Sequence, residues 1–99
     1  MNISEILSQP ESKTLEFKRD LSSLKPILKT LVAFANTAGG LLVIGKDDNG
    51  EIVGVEDVEI AEERLANSVA DNIRPAMQPE IEITSCAGKT LLLVRVRSQ

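Results

Sequence analysis

Histidine, tryptophan and tyrosine are absent from the 99 residues, and only two phenylalanines and one cysteine are present. Without histidine the commonest general base is missing, and with it the Ser-His-Asp and Cys-His arrangements and the usual zinc sites. Any catalysis would rest on carboxylates and lysines. Phe17 and Phe34 fall at apolar positions of their segments, which argues against base stacking on an aromatic platform, so a nucleic acid would be gripped by its backbone. Cys86, alone in Ile81-Glu-Ile-Thr-Ser-Cys86, has no partner for an internal disulfide and reads as the half-buried thiol of a strand in a reducing compartment. There is no run of eighteen apolar residues and no basic-then-apolar leader, so no membrane association and a cytoplasmic location are expected.

What is present is one domain's worth of chain, able to bury roughly two-thirds of the surface its unfolded form exposes. The formal net charge of -4 runs against the basic balance usual in nucleic-acid modules, but the imbalance is uneven. Residues 1–50 hold six basic side chains (Lys13, Lys18, Arg19, Lys25, Lys29 and Lys46) against six acidic ones, and residues 51–99 hold five against nine. Glu51, Glu56, Asp57, Glu59, Glu62 and Glu63 account for the excess, and carboxylates at the start of a helix complement its dipole.

Residues 33–50 carry the clearest punctuation: a buried helix, Gly39-Gly40, an uninterrupted apolar strand Leu41 to Gly45, and an Asp48-Asn49-Gly50 turn. Upstream, Ser4 can cap a short helix from Glu5 to Ser8, and Thr14 to Lys18 alternates as a strand with Leu15 and Phe17 on one face and Glu16 and Lys18 on the other. Ser22 or Ser23 and Pro26 mark the start of the central helix, which is apolar around most of its circumference. Downstream, Glu51 to Val55 returns as a hairpin partner, a second helix runs from about Asp57 to Arg74, and Ile81 to Ser85 pairs with Thr90 to Val96 across Ala87-Gly88-Lys89. The order α-β-α-β-β-α-β-β is an α+β fold, a mixed sheet with two main helices on one face.

Gly40-Leu-Leu-Val-Ile-Gly45-Lys46 matches the G-x-x-x-x-G-K half of a phosphate-binding loop only formally. Its four middle residues form a strand, no Ser or Thr follows for a metal, and Asp47 would repel phosphate.

Together with Glu11-Ser-Lys-Thr-Leu-Glu16-Phe-Lys18 and Ile52-Val-Gly-Val55, this stretch resembles the Schlafen-type Alba-like (AlbA_2) domain over roughly residues 5–97. The resemblance implies a nucleic-acid-binding module. It also implies that residues 1–99 are the amino-terminal domain of a longer protein, of the kind labelled transcriptional regulator or RecG-related ATP-dependent DNA helicase. No helicase motif occurs here, so ATP binding would belong to other segments. For binding, Lys13, Lys18, Arg19, Lys25, Lys29 and Lys46 are the candidate phosphate contacts, and no cofactor is needed. Some Schlafen proteins cut RNA with a metal held by two glutamates and an aspartate. The matching positions are Glu11, Glu16 and Asp48, and hard oxygen ligands suit Mg²⁺ or Mn²⁺. Against that reading, Asp48 serves equally as a turn residue, Glu11 as a solvated or capping carboxylate, and Glu16 as a partner of Lys18 or Lys46. Lys46 stands where the family commonly has a small apolar residue. A third reading is a self-association or partner-docking module, a homo-oligomer in the simplest case.

Overall fold

The computed structural model describes residues 2–99. Seven elements follow in order: α1 (Ile3–Leu7), β1 (Leu15–Lys18), α2 (Leu24–Ala35), β2 (Gly40–Ile44), α3 (Val58–Asn72), β3 (Glu80–Cys86) and β4 (Lys89–Val96). The four strands form one mixed sheet in the order β1-β2-β4-β3, with β1 and β2 parallel and the other pairs antiparallel. Parallel neighbours need a crossover, and α2 supplies it.

The apolar run of β2 is explained by its position. Leu42 and Ile44 join Leu92, Val94 and Val96 of β4 under α2 and α3, where Ile27, Leu31, Phe34, Leu65, Val69 and Ile73 complete one core. Leu41 and Val43 face the other way, with Leu15, Phe17, Leu91 and Leu93, and are covered by Ile6 and Leu7 of α1. The two main helices therefore share one face, as expected, and the opening helix covers the other. That helix is capped by Asn2 rather than Ser4: the Glu5 N–H donates to Asn2 Oδ1 at 2.9 Å.

The segment Glu51 to Val55, expected as a strand, is instead tied by a single bridge, Lys46 to Ile52. The Gly45 carbonyl accepts from both Val53 and Gly54, and Val55 then donates to Thr90, so the chain crosses the end of the sheet instead of extending it. The second hairpin closes through Ala87 and Gly88 alone, both at positive φ (54° and 75°), with Cys86 and Lys89 paired, the geometry of a two-residue turn that matches strand twist.

α2 ends at Ala35, and the expected left-handed stop lies at Gly39, whose φ is +81° and whose N–H donates to the Phe34 carbonyl at 2.9 Å. A methyl group on Gly39 would stand 2.7 Å from the Val96 carbonyl oxygen, and one on Gly40 would stand 2.5 Å from the Phe34 ring. Gly39→Ala and Gly40→Ala should each cost about 1 to 3 kcal/mol, the first through φ and a backbone clash, the second by displacing a core ring. Thermal melts showing both variants equal to the parent would place the chain reversal elsewhere.

Candidate functional site

The candidate cations are dispersed by the fold. Lys46 is spent internally: its Nζ donates to the Leu7 carbonyl at 2.7 Å and lies 4.0 Å from the centroid of the Phe17 ring. It thus caps the C-terminal end of α1 and holds that helix against the sheet. Arg19 pairs with its neighbour Asp20 at 3.1 Å. Asp20 also accepts from the Ser22 N–H at 3.0 Å, and this bonding with Ser22, reinforced by Arg19, holds its carboxyl below the usual range. A carboxylate therefore stands at the lead-in to α2. Lys18 is half-buried beside Glu16 on the α2 face of β1.

Lys25 and Lys29 remain exposed, one turn apart on α2, and neither enters an ion pair among the described residues. They border a groove of about 530 Å³ between α2 and α3, lined also by Leu24, Leu28, Val32, Ser68, Asn72 and Ile73. No acidic side chain lines it. The cleft that contains Arg19 and Arg64 differs, since Asp20, Glu56 and Asp57 line it as well. Lys13 is exposed in the turn before β1, at the opposite end of the parallel strands, where Thr14 borders a shallow hollow with Arg95 and Arg97. Those two arginines escaped the sequence reading. Their spacing of two along the last strand was the available signal, and Arg97 is paired with Glu80 at 3.1 Å.

The acidic trio is brought together only in part. Glu11 reaches over the outer edge of β1, where its Oε2 accepts the Phe17 N–H at 2.9 Å. Glu16 lies beside it. Partial burial, then hydrogen bonding to and repulsion from Glu11, raise the Glu16 carboxyl above its ordinary value of 4.5, with Lys18 opposing. Asp48 is exposed in the turn after β2 and lines a small cleft with Glu11, Lys46 and Asp47, a cleft that Glu16 does not line. Among the described residues no group of three or more carboxylate or thiol side chains stands together as a metal would require. With Glu11 Oε2 on a backbone N–H and Asp48 in a cleft that Glu16 does not line, the three carboxylates do not converge on one point as a divalent ion requires, and no cleavage step is derived from them.

A mixed four-stranded sheet with two helices over one face is the arrangement of an Alba-like domain. The chain belongs to the Schlafen AlbA_2 family, matching it over residues 11–99. Among solved structures it is similar to the N-terminal domain of a RecG-related protein from Nitrosomonas europaea, with 33% identity and a TM-score of 0.79 over 96% of this chain and 69% of that one. It also shares its fold with the DIP2311 protein of Corynebacterium diphtheriae, with 18% identity and a TM-score of 0.71 over 98% of this chain, but only 21% of that much longer chain. The family and the RecG-related structure put the chain in a nucleic-acid-related domain family. Among the described residues no helix is long and apolar enough to cross a membrane.

Two outcomes test this geometry. Lys46→Met should lower stability by about 1 to 3 kcal/mol through loss of the bond to Leu7 and the contact with Phe17, while leaving any nucleic-acid affinity unchanged. Denaturant titration beside a binding assay separates the two effects. For Glu16, a folded-state pKa above the unfolded one means that its favourable contribution is complete below about pH 4.5 and is lost as pH rises through the folded value. Glu16→Gln should therefore match the parent's melting temperature in acid and exceed it increasingly toward neutrality. A constant difference across that range would mean the two carboxyls do not interact.

Proposed function

We propose that the domain binds the phosphate backbone of nucleic acid along the outer side of α2, with Lys25 and Lys29 as the principal contacts and Lys18, Arg19 and Lys13 as weaker ones. The carrying observation is that Lys25 and Lys29 stand together without ion-pair partners beside a groove that no carboxylate lines, in a chain whose net charge is -4. Membership of the AlbA_2 family and likeness to the N-terminal domain of a RecG-related protein support the same reading.

The chemistry expected is plain. A lysine ammonium on a phosphate displaces a condensed counterion, so affinity comes from the release of salt and carries little sequence information. Both phenylalanine rings are buried in the two cores, so the bases have no aromatic surface to stack on. The apolar floor formed by Leu24, Leu28 and Val32 can take the sugar edge of a backbone lying in the groove, but offers no donor set to read a base.

With about three to five phosphates neutralised, log affinity against log salt should have a slope of roughly -2 to -4. Lys25→Ala combined with Lys29→Ala should reduce that slope by about 2 and weaken binding similarly for unrelated sequences. Fluorescence titration of single- and double-stranded DNA and RNA oligomers measures both. Absence of binding at low salt, or a double variant with the parent's slope, would remove α2 as the contact surface.

A further inference from the structure

The two edges of the sheet are finished differently. At β1 the chain covers its own edge: Ser12 bridges Leu15, and Glu11 takes the outward N–H of Phe17. At β3 nothing does. The pairing of Cys86 with Lys89 across a two-residue turn makes Glu80, Glu82, Thr84 and Cys86 the residues whose backbone groups bond inward to β4. The N–H and C=O groups of Ile81, Ile83 and Ser85 therefore point outward. No hydrogen bond to those outward groups is made by any described residue. The seven-residue strand contains no proline, lysine or bulge to blunt it, and Ile83 is 38% exposed.

We infer that β3 pairs antiparallel with β3 of a second copy of this chain, about a two-fold axis at Ile83, joining the two four-stranded sheets into one. The register follows from charge and from the direction of the backbone groups. With Ile83 opposite Ile83, Ile81 falls opposite Ser85, and the outward groups of these three residues are all used, forming about six hydrogen bonds between the strands. Glu82 then lies opposite Thr84 and Glu80 opposite Cys86. No carboxylate meets another, the Thr84 hydroxyl can donate to Glu82, and the exposed Ile83 side chain packs on its own copy. Shifting the axis to Glu82 would oppose two carboxylates. Moving it to Thr84 would leave the Ile81 groups unpaired. The strand is thus self-complementary in one register, as a two-fold interface requires. A partner of other sequence would need to supply this same alternation.

This inference is independent of nucleic-acid binding, since Lys25 and Lys29 lie on α2 rather than along the β3 edge. Sedimentation equilibrium over a concentration series up to about 1 mM should show a monomer–dimer equilibrium. Ile83→Lys, which sets like charges opposite each other at the axis but touches no bond to β4, should weaken the dimer about tenfold or more while leaving the circular dichroism spectrum unchanged. A second test does not depend on that variant folding. In a Cys86→Ser background, Ile83→Cys should cross-link rapidly on oxidation, because a hydrogen-bonded pair holds its Cα atoms about 5.5 Å apart, within disulfide range. Glu82→Cys in the same background should not. In the parent, amide exchange should slow at Ile81, Ile83 and Ser85 as concentration rises. A parent that stays monomeric, or a dimer in which Ile83→Cys fails to cross-link, would overturn the proposal.

Discussion

Leu41 to Ile44 alternate between two separate cores, so neither face of β2 can be left to water. This two-sided burial organises the rest of the molecule. One face needs more cover than a single helix supplies and takes both α2 and α3. The other is covered by the five-residue α1, too short to hold itself in water and therefore dependent on what it packs against. Lys46, at the end of the same buried run, reaches back to the last carbonyl of α1 and lies on Phe17. One strand thus fixes both layers, directly by its side chains and indirectly by the cation that follows it. The parallel pairing of β1 with β2 then depends on the chain reversing between α2 and β2 in four residues, which only the Gly39-Gly40 pair accommodates.

The same demand explains the distribution of charge. Cations near the cores are drawn into structural roles: Lys46 on Leu7, Arg64 on the Leu21 carbonyl, Arg74 on the carbonyls of Ala70 and Ile73. Each satisfies a carbonyl that helix ends or loops leave without a partner. Lys25 and Lys29 are different because they lie in the first two turns of α2, where the helix's own N–H groups take the carbonyls and leave none for them to serve. Charge left over from structure, rather than charge in total, is what singles them out as the proposed phosphate contacts.

Periodicity and punctuation made most of the fold legible. Alternation in Leu15 to Lys18, the apolar run after the glycine pair, and the Ala87-Gly88 turn all report backbone constraints that neighbouring residues enforce locally. The segment after Gly50 misled because its apolar spacing is that of a strand, while its path is set by the Gly45 carbonyl and by Thr90, partners distant in sequence. The candidate site was less legible for a related reason. Sequence proximity of Lys13, Lys18, Arg19, Lys25 and Lys29 suggested one patch, yet β1 carries the chain from Lys13 at one end of the parallel strands to Lys25 beyond the other, and Asp20 pairs with Arg19 ahead of α2. Arg95 and Arg97, far along the chain, come to line one hollow with Thr14.

The acidic residues show how far a matching pattern can go without its chemistry. Glu11 and Glu16 do meet, as their spacing around a turn and strand allows, but the outcome of their meeting is set by what else they touch. Glu11 is occupied with the Phe17 N–H, closing the β1 edge, and partial burial together with the nearby Glu11 raises the Glu16 carboxyl above its ordinary value. A hard cation needs several oxygens free to turn inward at once, and here the third carboxylate, Asp48, stands in an exposed turn with Lys46 in the cleft between. The glutamates act instead on the fold, finishing one edge of the sheet. That leaves β3 as the edge whose outward hydrogen-bonding groups the described chain does not satisfy itself, and so the place where a second strand has most to gain by pairing.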